Sequence, residues 1–144
     1  MKAIDILGRS GVTIDSLEEA GFELYVQGDG ETDVDLLKQA FRRQVERYLE
    51  DPNVSLLISA AAYLDGVLES EWKGDSRVTG DAASLVADEL IGMSIAEYIA
   101  GKRGLFNYVR YDRAKPGILA RLPPFMDDAV GALVAACMTR AFER

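Results

Sequence analysis

The sequence predicts an all-α fold, a compact bundle of about six helices around a central buried helix. Three observations carry that expectation. Apolar residues recur at helical spacing through most of the chain, and no segment shows convincing strand alternation. Two stretches, 54–68 and about 82–100, are apolar on nearly every side, as a helix enclosed by others must be. The 144 residues, 49% of them apolar, suit one domain over residues 1–144. Such a domain buries about 70% of the surface its unfolded chain would expose.

Each element has a local reason. Ser16 and Glu19 form a capping-box pattern that opens a short helix through Leu17, Ala20, Leu24 and Tyr25. Gln27-Gly28-Asp29-Gly30 breaks it. Thr32 caps a second helix, in which Val34, Leu37, Phe41, Val45, Tyr48 and Leu49 follow the i, i+3, i+4 rule. Lys38, Arg42, Arg43, Glu46 and Glu50 form its solvated face. Asp51-Pro52-Asn53 starts the third helix, 54–68, which is expected at the centre together with the fourth. The polar stretch 69–80 reads as the long loop. The fourth helix covers about 82–100, and Gly101 and Gly104 end it. A short helix or turn at 105–111 gives way to Lys115-Pro116-Gly117, and the last helix spans about 124–142. The alternating acids of 29–35 imitate a calcium loop, but Val34 and Ala40 stand where its glycine and glutamate are required. That stretch reads as a turn and a helix cap.

Composition excludes several functions. With 24 acidic against 16 basic side chains the formal net charge is −8, the wrong sign for nucleic acid or an anionic membrane. There is no histidine, which removes histidine-based nucleophiles, triads and zinc sites. The single cysteine, Cys137, cannot form an internal disulfide and fits a reducing compartment. Met1-Lys2-Ala3-Ile4-Asp5 carries no secretory signal. The longest charge-free apolar runs, 54–64 and 129–138, fall short of the ~20 residues that span a bilayer. A cytoplasmic protein without a transmembrane segment is expected.

Two late helices repeat one pattern. Asp88-Glu89 is followed by Gly92 and Ala96, and Asp127-Asp128 by Gly131 and Ala135. Glycine inside a helix costs roughly 0.5–1 kcal/mol against alanine, so two at matching places call for a reason. Small residues every fourth position let two helices approach, which would bring four carboxylates toward one space. Like charges near a low-dielectric core repel unless a cation joins them. With oxygen ligands only, Mg²⁺ (one or two ions) suits the set better than Zn²⁺. The plainer reading is that the acids cap helix starts, which fits Asp127 and Asp128 better than Asp88 and Glu89. Between the pairs, Arg110, Asp112, Arg113 and Lys115 lie beside a Pro-Gly break, a weak sign of a phosphate-gripping loop. Two Mg²⁺ with Arg110 and Lys115 would neutralise the four acids plus a phosphomonoester of about −2. That balance is consistent with metal-assisted phosphoryl hydrolysis.

The series Asp88-Glu89-x-x-Gly92, Asp112-x-x-Lys115-Pro116 and Asp127-Asp128-x-x-Gly131 resembles the phosphatidylglycerophosphatase A superfamily. Its soluble archaeal branch, the CobZ-type α-ribazole phosphatases, is the closer resemblance. It rests on Glu23-Leu24-Tyr25-Val26, Asn53-Val54, Leu57-Ile58, the runs 87–92 and 95–101, Gly104-Leu105-Phe106 and Arg110-Tyr111-Asp112. Pro116-Gly117-Ile118-Leu119 and Pro124-Phe125-Met126-Asp127-Asp128 complete it, over roughly residues 13–137. The sequence departs from that branch at 27–30, where Gln27-Gly28-Asp29-Gly30 replaces a His-Pro-like segment.

The resemblance implies a helical, Mg²⁺-dependent phosphatase that hydrolyses α-ribazole 5′-phosphate during assembly of the cobamide nucleotide loop. On it, Asp88, Glu89, Asp127 and Asp128 would hold metal, and Arg110, Arg113 and Lys115 would meet phosphate. Asp112 would be a further metal ligand or orient the attacking water. Direct attack by metal-activated water is the preferred route, with an aspartyl-phosphate route as the alternative. Glu97, about 80° around the helix from Glu89, reads as a buried hydrogen-bonding partner. Tyr63, Tyr108 and Tyr111 read as packing residues rather than base-stacking ones. The competing functions are a phosphatidylglycerophosphate phosphatase and a non-catalytic helical interaction module. The small-residue apolar helices also lead us to expect a homo-oligomer.

Overall fold

The computed structural model of the chain describes residues 2–26, 33–78 and 84–143, and all regular structure among them is helical. In order these are α1 (Ala3–Arg9), α2 (Ile14–Glu23), α3 (Val34–Leu49), α4 (Pro52–Glu71), α5 (Ala87–Ala114) and α6 (Pro124–Phe142). A 3-10 helix, Gly117–Arg121, precedes α6. None of the described helices is long and apolar enough to cross a membrane.

The central helix is the last one. Every residue of α6 from Phe125 to Met138 is buried, and α2, α3, α4, α5 and the 3-10 helix all pack on it. This corrects the expectation that the third helix, now α4, is central. That helix buries only Val54, Ile58 and Ala61, an i, i+4, i+7 stripe, and leaves Leu56 and Tyr63 69% and 73% exposed. Both helices are apolar and both carry small residues, Gly131, Ala132, Ala135 and Ala136 in α6 and Ala60, Ala61, Ala62 and Gly66 in α4. What separates them is that α6 is covered on every side and α4 on one.

Local chemistry corrects two caps. The capping box belongs to Thr13 and Ser16: the Ser16 N–H donates to Thr13 Oγ1 at 3.1 Å and the Thr13 N–H to Ser16 Oγ at 2.8 Å. Helix α3 is capped by Asp33, which accepts from the N–H of Asp35 at 2.9 Å; Thr32 lies outside the described residues, as does most of the dismissed calcium pattern. Asp51 caps α4 with Pro52 at the first helical position, as the sequence indicates. Helix α1 is an element that the periodicity does not reveal; its Ala3, Ile6 and Leu7 are buried, and it packs on α4. Helix α4 takes the first residues of the expected long loop, and α5 starts only at Ala87.

Helix α5 decides the architecture of the site. Gly101 does stop the first run of helix, but the chain then turns and continues as helix to Ala114, so the second piece is longer than 105–111. Ala100 (φ −138°, ψ 15°) and Gly101 (φ 62°, ψ −150°) leave helical geometry, and α5 is two arms joined there. Asp88 and Asp112 would be about 36 Å apart on a straight helix. Instead both line one cleft beside Asp128, so the arms run side by side in opposite directions. Gly104 does not end a helix; it lies buried early in the second arm, where a Cβ would come within 2.6 Å of the Ala96 carbonyl oxygen.

Candidate active site

The returning arms of α5 set their two free ends beside the first turn of α6. Asp88 and Glu89 come from one arm, Asp112 and Lys115 from the other, and Asp127 and Asp128 from α6. All six line one open cleft of about 490 Å³, with Leu119, Ala120, Leu122 and Pro124 as its apolar side. Carboxylate oxygens of Asp112, Asp127 and Asp128 lie within 4.8 Å of one another.

Gly92 makes this approach possible. A Cβ there would lie 2.5 Å from the Tyr108 hydroxyl and 2.9 Å from the Asp128 backbone oxygen, so any larger residue would push the first arm off α6. Gly131 differs: a Cβ would meet Leu119 at an ordinary 3.6 Å, so the reading of matched packing glycines holds at Gly92 alone.

Asp127 and Asp128 do not cap α6. That task falls to Asp65 of α4, which accepts from the N–H groups of Phe125 at 2.8 Å and Met126 at 2.9 Å. Burial pushes the Asp65 carboxyl above the usual range, with nearby Asp88 adding to the effect and the two N–H groups opposing it. Sequence reasoning missed Asp65. Its only signal is one acid at the end of the apolar run 54–64. Asp65→Ala removes two hydrogen bonds from a helix start and is expected to cost about 1–2 kcal/mol in urea unfolding.

The electrostatics follow from crowding like charges. Lys115 Nζ donates to Asp112 at 2.9 Å and to Asp127, and stands 4.0 Å from Asp128. Burial would lower the lysine pKa, but these carboxylates outweigh it and hold the ammonium charged well above neutrality. Its backbone is left-handed (φ 49°), an uncommon conformation for a residue with a side chain, and it caps α5. Burial lifts Asp127 above the carboxylate range, with Lys115 opposing. Asp128, 3% exposed, is lifted furthest, first by burial and then by the neighbouring carboxyls of Asp112 and Asp88, which favour its protonated form. Burial also acts on Asp112, but the hydrogen bonds from Asp128 and Lys115 win and keep it ionised. One proton on Asp128 and one ammonium thus hold the acids together. An all-oxygen donor set of this density fits a hard divalent cation.

Some expected site residues lie elsewhere. Arg110 does not join the acids: two residues from Asp112 is about 200° around the helix, and its guanidinium donates to Asn107 and to the Leu24 carbonyl on the other side. Arg113 is exposed and borders a neighbouring apolar pocket with Glu89 and Asp112. Glu97 is exposed rather than buried. Tyr108 and Tyr111 are packed as expected, and the Tyr111 hydroxyl donates to the Gly21 carbonyl at 2.6 Å; Tyr63 is exposed.

The model of the phosphatidylglycerophosphatase A family matches residues 16–143, nearly the whole chain and every acid of the cleft. This chain belongs to that family. The family is one of phosphatases, which agrees with the cleft's chemistry. The uncharacterized protein MJ1330 of Methanocaldococcus jannaschii is 36% identical over 132 residues, covering 87% of this chain and 99% of its own. YutG of Bacillus subtilis is 33% identical over 69% of this chain and 66% of its own. Among solved structures, the low temperature requirement C protein of Listeria monocytogenes superposes with a TM-score of 0.77 at 29% identity, covering 96% of this chain and 91% of that one. A protein of unknown function from Bacillus stearothermophilus gives 0.76 at 26% identity, over 96% and 94%.

Proposed function

We propose that this member of the family is a Mg²⁺-dependent phosphomonoesterase that hydrolyses α-ribazole 5′-phosphate to α-ribazole and phosphate. The observation that carries the reading is the meeting of Asp88, Glu89, Asp112, Asp127, Asp128 and Lys115 on one cleft. The resemblance of 87–92, Arg110-Tyr111-Asp112 and 124–128 to the CobZ-type branch supports the substrate.

In this reading Asp88, Glu89, Asp127 and Asp128 are the metal-holding residues. Bound there, Mg²⁺ would neutralise phosphoryl oxygens and lower the pKa of a water molecule. Lys115 meets the phosphate, because it is the charged amine at the centre of the cluster. Arg113, at the rim beside Glu89 and Asp112, is the second cation within reach. Asp112, held ionised, orients the attacking water and accepts its proton. The returning arms of α5 keep these groups in register, so the chain supplies orientation as well as charge.

A lipid substrate, phosphatidylglycerophosphate, has one observation in its favour. Phe106 (75% exposed), Val109 and Met93 line a pocket that shares Glu89 and Asp112 with the acidic cleft, and an acyl chain or a planar ring would cover it. The same exposed surface supports our proposal of a homo-oligomer. The test is phosphate release from both compounds, each with Mg²⁺ and with EDTA. Faster release from the ribazole phosphate, abolished by EDTA, is expected. Faster release from the lipid would change the substrate, and EDTA-insensitive release would overturn the metal assignment.

A further inference from the structure

A second cleft, of about 440 Å³, lies between the C-terminal ends of α2 and α6 and the second arm of α5. Arg103, Asn107 and Arg110 form one wall, spaced four and three residues apart and so on one helical face. Asn107 is held by α6: its amide donates to the Ala135 carbonyl at 2.8 Å and to Thr139 Oγ1 at 3.2 Å. Its own oxygen accepts from Arg110 at 3.0 Å, and the Leu24 carbonyl accepts from the same guanidinium at 3.2 Å. The arginine is thus aimed from three elements while most of its donor fork stays uncommitted. Among the described residues neither Arg103 nor Arg110 has an ion-pair partner, and Glu143, the acid of this cleft, pairs with Arg140 at 3.0 Å. Other described arginines also lack an ion pair; what distinguishes these two is that both line one cleft, in a chain of formal net charge −8. Opposite them, Tyr25 and Phe142 stack with centroids 5.8 Å apart and planes 24° from parallel, and Phe142 is 47% exposed.

We propose that this cleft binds a small phosphate ester carrying a planar ring, at a site separate from the acidic cleft. Two guanidinium forks match a phosphate dianion in charge and in bidentate geometry. The aromatic pair offers the apolar face that a ring covers. The negative C-terminal end of the α6 dipole opposes an anion, but as a partial charge it is outweighed by two full cations. The same phosphate cannot reach both sites. Arg110 and Asp112 are only two residues apart, but about 200° around the helix, so the two clefts open on opposite faces of this arm. The site therefore gives Arg110, which the acidic cleft does not use, a ligand of its own.

The test uses the full chain in EDTA with AMP, ribose 5-phosphate and inorganic phosphate as probes, followed by ¹H–¹⁵N NMR. Saturable shifts are expected at the Asn107 side-chain amide, the Arg110 Nε–H and the backbone amides of 103–110 and 139–143. AMP should bind more tightly than ribose 5-phosphate. Arg103→Gln and Arg110→Gln should each weaken AMP by about tenfold or more. Arg103 is exposed and makes no ion pair among the described residues, so its variant tests the site without a folding defect. Absence of saturable shifts at these residues, or unchanged affinity in both variants, would overturn the site. Equal affinity for AMP and ribose 5-phosphate would overturn ring recognition. Binding without metal is independent of phosphate release, so a failure here leaves the proposed hydrolysis standing.

Discussion

Asp128→Asn is expected to fold, to melt at a higher temperature than the parent at pH 7 in EDTA, and to release phosphate at least about 100-fold more slowly with Mg²⁺. The two effects have opposite signs and one cause. In the folded chain, burial and the neighbours Asp112 and Asp88 lift the Asp128 carboxyl, so at neutral pH the fold keeps a proton that the unfolded chain would release. Folding stability is lost to this group as pH rises above its unfolded value of about 4. Asparagine has no proton to keep and retains a hydrogen-bonding amide, so the penalty disappears. The gain in Tm should therefore fade as pH falls toward about 4, where the parent carboxyl is protonated in both states. The loss of rate follows from the proposed ligand role. Partners that only orient a metal ligand are worth 10–100-fold, and a ligand is worth no less. Thermal melts across pH, paired with a phosphate assay, read both effects. A variant with parental activity would remove Asp128 from the proposed chemistry.

Gly101→Ala is expected to destabilise the chain by about 1–3 kcal/mol and to reduce activity beyond what the loss of folded protein explains. A Cβ at Gly101 would meet nothing within 4 Å, so the penalty is not steric crowding from neighbours. It is conformational: φ 62° with ψ −150° is a region that only glycine enters freely. Gly66, in the middle of α4, also has open space around it, but it has helical geometry. There the same substitution should stabilise by roughly 0.5–1 kcal/mol. Urea unfolding of the two variants should thus move in opposite directions. Equal shifts would mean that the bend tolerates alanine.

Much of the fold was legible because helical periodicity is a local signal. The stripe of α3, Asp51-Pro52 at the start of α4 and the stop at Gly101 need no knowledge of distant contacts. What was not legible depends on partners. Apolar content could not choose between α4 and α6 as the centre, since Leu56 and Tyr63 look like core residues until their surroundings are known. The acid pairs around Gly92 and Gly131 were visible as a repeated pattern, and the family resemblance agreed with them. The reversal that makes Asp88 meet Asp112 was not visible, because glycine marks a break without giving its direction. Arg110 was misplaced for a simpler reason. Grouping Arg110 with Arg113 and Lys115 as a phosphate-gripping set passed over the helical rotation that separates it from Asp112. Asp65 escaped because a cap supplied from another helix has no sequence spacing to recognise.

The bend in α5 also has a mechanical meaning. The arm from Asp88 to Ala100 is about 18 Å long, so a change of about 10° at its fulcrum would sweep the acid end through about 3 Å. A misplacement of about 1 Å can cost about 100-fold in rate, so the working tolerance at the pivot is only a few degrees. Two contacts brace that pivot. The Tyr48 hydroxyl donates to the Ile99 carbonyl at 3.4 Å, and Gly104 closes against Ala96 so tightly that no side chain fits between them. On the proposed reading, residues far from the cleft thereby set its calibration, and Tyr48, which no reading of the acidic motifs would select, braces the arm that carries Asp88.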